Sequence, residues 1–250
     1  MSPLFALALK LLRKTLIILT TSLSICFSPM VVSAQKTVDV ASGNVNALSP
    51  AFFNVVGGEP FVMVKFAKVV EGSPYFKEQW MRGNVIVNGG QQYAGIDLKL
   101  DLYDNEVHFR GQKGIEMVAT TVIQKIILAD TIDQQLHTFI NGDFLNANTR
   151  IRGWYELLSE GDALLLKKFN KQLREFKPYG SATIEQTIMT SLRYYILFNN
   201  KLTEVKKLKE IVELLTDKRQ DLSQFIANNN LSGKSERDFV MVINYYNGIE

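Results

Sequence analysis

Within KLDLYDNEVHFRG, residues Lys99 to Gly111, the side chains of Asp101, Asp104, Glu106 and His108 lie close together in sequence. Carboxylate oxygens and an imidazole at such spacing are the donors of a divalent-cation site or the partners of an acid/base pair. A calcium loop of the EF-hand type needs glycine at its sharp turn, and Glu106 stands there instead. A transition-metal site draws only Asp101 and His108 from this stretch, with Asp97 as a third donor further along the chain.

The other reading is a hairpin. With Asp104-Asn105 as a two-residue turn, Tyr103 pairs with Glu106, Leu102 with Val107, Asp101 with His108 and Leu100 with Phe109. Side chains alternate faces along a strand, so Leu98, Leu100, Leu102, Val107 and Phe109 share one face and the ionic residues share the other. Asp101 and His108 are then a solvated cross-strand pair worth a few tenths of a kcal/mol. On this reading no metal binds, and His108→Ala changes stability little.

The second histidine, His137 in DQQLHTFINGD, reads as a partly exposed strand residue beside core positions Leu136 and Ile140. A catalytic triad or zinc site must bring the two distant histidines together. Gly-x-Ser-x-Gly, His-Glu-x-x-His, Ser-x-x-Lys and glycine-rich phosphate loops are absent. A glycosidase needs only two carboxylates, which can come from distant strands and leave no local spacing. No catalytic, cofactor or metal residue is therefore assigned. Tyr75, Phe76 and Trp80 in SPYFKEQW, with Trp154 and Tyr155 after Gly153, offer a stacking surface for sugars or a partner chain; the alternative is that these rings are core. Tyr246 is expected buried and Tyr245 half-exposed.

These residues must be held by strands. Runs rich in Val, Ile, Phe and Tyr, closed by Gly, Asn or Asp, recur over Phe61–Val70, Asn84–Val87, Gln92–Leu102, Val107–Arg110, Ile115–Ala119 and Gln124–Ala129. They continue over Leu136–Ile140, Trp154–Ser159, Ala163–Phe169, Arg193–Phe198 and Lys201–Val205. Asn88-Gly89-Gly90, Glu160-Gly161-Asp162 and Asn199-Asn200 supply hairpin turns, because Gly and Asn tolerate positive φ. After Val205 the apolar period becomes helical: Leu208, Ile211, Val212 and Leu215, then Leu222, Phe225 and Ile226 over Arg219–Ala227, ended by Asn228-Asn229-Asn230. Ser235 caps a third helix with Phe239, Val242, Ile243 and Tyr246 as its buried stripe.

The pattern predicts a β-rich α+β fold. Antiparallel hairpins form a sandwich or partly open barrel over residues 51–205, and about three short helices over 206–250 pack on it. A curved sheet of this kind can also enclose a lipid or other hydrophobic ligand, with the helices as a lid.

The first 34 residues have basic Lys10, Arg13 and Lys14, an apolar run from Leu16 to Phe27 and small residues at Ser33 and Ala34. That order is a secretory signal peptide cut before Gln35. The alternatives are a retained anchor, for which the run is short, and lipidation at Cys26, where Ile25 replaces the usual small residue. Residues 35–50 are small and polar and read as a flexible lead-in.

Removing the leader takes three bases and no acids from 28 Lys+Arg and 25 Asp+Glu, leaving 25 of each. A near-neutral exported chain gives no indication of nucleic acid or an anionic membrane surface as partner, and none of an integral span. The only cysteine, Cys26, leaves with the leader, which excludes thiolate chemistry from the remaining 216 residues.

The segments SPYFKEQWMRGNVIVNGGQQYAGIDLKLDLYDNEVHFRG, GWYELLSEGDALLLKKF, RYYILFNNKLTEVKK and LLTDKRQDLSQFIANNNLSGKSERDFVMVINYYN resemble secreted or envelope proteins of Bacteroidota with no assigned function. The resemblance covers most of the chain after the leader. It implies a periplasmic or extracellular location in a Gram-negative cell and supplies no active residues. The expected function is a non-catalytic envelope module that binds a protein or glycan or builds a surface assembly. A periplasmic carrier of lipid or glycan ranks second and a carboxylate hydrolase third.

Overall fold

Strand-forming runs broken by Gly and Asn turns fold, in the computed structural model, into a single large sheet flanked by helices. The structure describes residues 37–39, 52, 55–62, 69–148, 151–180 and 184–249. The expected leader, with Cys26, lies outside the described residues.

The strands are β1 (Thr37–Asp39), β2 (Glu59–Pro60), β3 (Val69–Glu71), β4 (Met81–Val87), β5 (Gln92–Asp101), β6 (Glu106–Arg110) and β7 (Glu116–Val118). They continue with β8 (Ile123–Asp130), β9 (Gln135–Asn141), β10 (Trp154–Ser159), β11 (Leu164–Phe176), β12 (Glu185–Phe198) and β13 (Lys201–Val205). Their order is β13-β12-β11-β10-β9-β8-β4-β5-β6-β7-β2, with β1 parallel to β5 and β3 parallel to β12. Two antiparallel meanders, β4 to β7 and β8 to β13, thus join where β8 pairs with β4. Among the described residues the end strands β13 and β2 pair only inward, so the sheet is open.

Helices α1 (Leu208–Leu214), α2 (Arg219–Asn228) and α3 (Glu236–Gly248) follow, as the change of period predicts. The Ser235 side chain accepts the Asp238 N–H and caps α3. Phe239, Val242, Ile243 and Tyr246 are buried on one side of that helix. No helix among the described residues is long and apolar enough to cross a membrane.

One face of the sheet carries two apolar cores. The first gathers Leu98, Leu100, Phe109, Ile126, Leu128, Phe139 and Trp154 around Phe52 and Tyr93. The second seats Leu208, Ile211, Leu222, Val242 and Tyr246 of the helices on Leu165, Ile196 and Val205. Each such side chain contributes on the order of 2 kcal/mol when fully buried. A third cluster, Tyr155, Leu166 and Leu197 with Leu145 and Ile151, covers part of the opposite face.

The β5–β6 hairpin departs from expectation in two ways. Its loop has four residues, Leu102 to Asn105, and the register pairs Leu98 with Phe109, Lys99 with His108, Leu100 with Val107 and Asp101 with Glu106. A slip of two residues keeps every side chain on its expected face, so Leu98, Leu100, Val107 and Phe109 are buried as predicted. The ionic face, however, is not solvated: Asp101 is 2% and His108 0% exposed.

The reason is local and specific. The Asp101 carboxylate accepts the N–H groups of Tyr103 and Asp104, closing the longer loop as an Asx turn. His108 packs against Tyr75 and Phe61 at 5.5 and 4.6 Å between ring centroids, with Nδ1 2.7 Å from Glu116 Oε1. Asp101 and His108 therefore have separate partners in place of the expected cross-strand contact.

Three other expectations change. Part of the lead-in is a strand, since Thr37–Asp39 pairs with Gln92, Tyr93 and Ala94. The run over Phe61–Val70 is replaced at its ends by β2 and β3, and residues 63–68 lie outside the described residues. Finally, β11 and β12 extend well beyond their apolar halves, pairing continuously from Leu164↔Leu197 to Phe176↔Glu185.

The burial of His108 reverses the expected effect of its removal. His108→Ala should lower unfolding free energy by about 2–4 kcal/mol, because it empties a ring-sized space and strips Glu116 of its partner. Urea denaturation checks this, and a loss below about 0.5 kcal/mol would return His108 to the surface.

Candidate functional site

β10 pairs with β11 only as far as Glu156↔Lys167. Past that point this edge of β11 has no strand partner among the described residues, and a cleft of about 420 Å³ opens between it and the β5–β6 loop. Arg152 precedes β10, Lys168 and Lys171 lie on β11, and Arg193 lies on β12; all four line the cleft, and no carboxylate does. Asn105, Asn170 and Gln172 add amides to the wall, and the Asn170 Nδ2 is a buried donor without a partner.

The floor is held by backbone geometry. Gly153 adopts φ +91, and a Cβ there would meet Asn105 Oδ1 at 2.7 Å, so only glycine lets the loop approach. Trp154 Nε1 donates to the Asn105 carbonyl at 3.2 Å, which ties the loop to β10.

The cleft is electrostatically uneven. Lys168 and Arg193 are directly opposed in the β11–β12 register, an arrangement disfavoured for like charges. Glu204, 3.2 Å from Arg193, compensates one of them. Lys168 Nζ donates to the Arg152 carbonyl at 3.0 Å and to Tyr155 Oη at 3.1 Å, neither of which is charged. Burial, and then the charge of Arg193, lowers the pKa of Lys168. Burial also lowers that of Lys171, against an opposing pull from Asp101 and Glu78. Glu204 pairs with Arg193, and Asp101 and Glu78 act on Lys171 from outside the lining, so an anion entering the cleft would meet cations with no carboxylate among the lining residues.

The aromatic residues singled out from sequence do not form one surface. Trp154 and Tyr155 are buried on opposite faces: Trp154 lines the cleft, while Tyr155 supports Lys168 from behind, its hydroxyl pKa pushed up to about 12 by burial. Tyr75 is buried, with Lys99 Nζ 3.8 Å from its ring centroid. Trp80 is half-buried between Lys99 and Arg110, at 5.3 and 4.9 Å. Tyr75 and Trp80 are therefore engaged elsewhere, and Phe76 packs against His137, Phe139 and Phe169.

Leu136, expected in the core, is the residue whose orientation reverses, while His137 is half-buried. Leu136 is 73% exposed and His137 turns inward with Phe139, because the register sets His137 opposite Leu128 in the first core. Its Nδ1 lies 2.6 Å from Glu156 Oε1. Glu156 Oε2 is 2.6 Å from Lys167 Nζ, which lies 2.9 Å from Glu236 Oε2, and Tyr194 donates to that same oxygen at 3.0 Å. This chain of charge crosses β9, β10, β11 and β12 and reaches the first turn of α3.

Asp130, Asp133 and His137 offer donor atoms close enough to share a cation. The Lys77 ammonium already bridges Asp130 and Asp133. That contact, with the backbone N–H groups of Ile132 and Asp133, holds the Asp130 carboxyl down to about 2 against the opposing effect of burial. The cationic cleft itself was missed from sequence: Arg152, Lys168, Lys171 and Arg193 are spread over forty-odd positions, and only the β11–β12 register and the β5–β6 loop bring them together. Compared with known proteins, the chain matches no family model, no curated protein and no solved structure.

Because the Asp130 pKa is depressed below its ordinary value of 3.8, its stabilisation is complete above about pH 4 and is lost as pH falls through about 2. Asp130→Asn should lower the urea midpoint at about pH 6, with a gap from wild type that narrows toward about pH 2. A gap of equal size at both pH values would remove Lys77–Asp130 as its cause.

Proposed function

We propose that the chain is an exported, non-catalytic binding module of the cell envelope, and that the cleft beside β11 takes an anionic group of a glycan or partner protein. The cleft carries the proposal: four cations and several amides surround it without a carboxylate among the lining residues. Its volume lies in the range of small-molecule sites and holds one or two sugar units. Two guanidinium groups suit carboxylate, sulfate or phosphate, which they bind in bidentate fashion. Export rests on the leader's basic, apolar and small-residue order, and the envelope location on the resemblance to secreted Bacteroidota proteins.

Two features set the other readings behind this one. A lipid carrier needs an open interior, whereas the face that would form it is filled by Phe52, Tyr93, Phe109 and Phe139, all fully buried. A carboxylate hydrolase needs two acids across a cleft, and the cleft beside β11 has none.

Differential scanning fluorimetry against uronate-, sulfate- and phosphate-bearing oligosaccharides, neutral glycans, fatty acids and divalent metals tests the assignment. The melting temperature should rise with the anionic sugars alone. Replacing both Arg152→Ala and Lys171→Ala should weaken that binding by about tenfold or more while leaving the unliganded melting temperature within a few degrees. Indifference to every anion, or undiminished binding by the double variant, would refute it.

A further inference from the structure

β11 loses one neighbour partway along its length. It pairs with β10 no further than Glu156↔Lys167, whereas its pairing with β12 runs on to Phe176↔Glu185. The chain before β10 does not continue that line: Lys168 Nζ holds the Arg152 carbonyl at 3.0 Å, and the Asn148 N–H donates to the carbonyl of Asn200, in the β12–β13 turn, at 2.6 Å. From Lys168 to Phe176 one edge of β11 therefore has no strand partner among the described residues. In an antiparallel strand alternate residues turn their N–H and C=O toward the same side, so about half of these residues present backbone donors and acceptors along the open edge. At about 3.4 Å per residue that edge is about 30 Å long, enough for a partner strand of ordinary length.

We propose that the cleft takes an extended acidic segment of a partner protein, which adds to β11 as a further strand and sets its carboxylates against Arg152, Lys168 and Lys171; the proposal rests on the reading of the cleft as an anion site. Both the backbone and the side chains of the cleft select this occupant. The open edge is matched by a ligand with its own alternating backbone donors and acceptors, which strand addition supplies and a sugar ring does not. The flanking side chains are matched by acids, since Lys168, Lys171, Arg152 and Arg193 line the cleft with no carboxylate among them. Lys168 and Lys171 are an odd number of positions apart and stand on opposite faces of β11, so cations lie on both sides of the incoming strand. Arg193, opposite Lys168 in the register, shares the Lys168 face. The same charges disfavour a second copy of this chain, because pairing β11 with β11 would bring two cationic edges together. They leave a neutral segment without its ionic partners. A glycan is less well served: Trp154 is 3% exposed with its Nε1 taken by the Asn105 carbonyl, and Phe169 packs edge-on against Phe76 at 5.3 Å and lies under the Lys167 ammonium at 5.0 Å. Neither ring offers the cleft a stacking face. The Asn170 Nδ2, buried without a partner, adds a side-chain donor on the Lys168 face.

Gln35–Glu250 is a compact unit and is the form to test by fluorescence anisotropy. The probe is a labelled peptide of about ten residues in which glutamate alternates with threonine. It should bind, and the same peptide with lysine for glutamate should not. Two N-methylated versions read the backbone directly, one methylated on the glutamate amides and one on the threonine amides. These two sets point to opposite edges of an extended peptide, so one version should lose about tenfold or more in affinity while the other keeps most of it. Arg152→Ala with Lys171→Ala should weaken the unmethylated peptide by about tenfold or more. Absence of acidic-peptide binding, equal binding of the lysine peptide, or an equal effect of the two methylation patterns would each overturn strand addition. If the acidic peptide fails while anionic oligosaccharides still bind and the double variant weakens them, strand addition falls and the anion site stands. If no anion binds, both fall.

Discussion

Two apolar cores on one face of a single sheet meet along a line of charge, and Glu156 is its centre. On one side it holds His137, which turns toward the strand core; on the other it holds Lys167, which reaches Glu236 at the start of α3. Burying a carboxylate is costly unless opposite charge and hydrogen bonds replace its lost water. Here its partners come from two strands, His137 on β9 and Lys167 on β11, and Lys167 in turn reaches Glu236, so the network is complete only when β9, β11 and α3 are all in place. The helices are thereby joined to the sheet by a polar contact with a defined geometry as well as by the greasy contact of Phe239 and Val242.

The same two-sided burial governs the β5–β6 hairpin. A strand in the middle of a broad sheet has little access to water on either face, so Lys99, Asp101 and His108 must find protein partners. Asp101 turns to backbone N–H groups, His108 to Glu116, and Lys99 to the ring of Tyr75. What looks in sequence like a cluster of acid and base is therefore dispersed among several structural contacts. Chemistry that needs a free, accessible donor has better material at the cleft, where Lys168 and Lys171 are desolvated and Asn170 retains an unpaired amide.

The cleft and the ribbon share one cause, the unequal lengths of neighbouring strands. β11 and β12 pair over thirteen positions, whereas β10 and β13 accompany them for only part of that distance. The unaccompanied stretch leaves an open edge beside the β5–β6 loop, and further out only β3 flanks the hairpin among the described residues, leaving Phe176 and Tyr179 exposed. A cation-lined recess and an apolar tip thus sit on the same pair of strands.

Local pattern in the sequence determined the β-rich class, the turns at Asn88-Gly89-Gly90 and Asn199-Asn200, and the three helices with Ser235 as a cap, because each depends on neighbours within a few residues. It also placed Leu98, Leu100, Val107 and Phe109 on one buried face, since a two-residue slip does not alter parity. Tertiary structure alone decided what the opposite face meets, which way His137 turns, how far the polar halves of β11 and β12 extend, and that Arg152, Lys168, Lys171 and Arg193 converge. Those outcomes depend on strand order, register and coverage by distant segments. Alternation along a strand distinguishes its two faces, but whether a face is wet is settled only by what the rest of the chain lays over it.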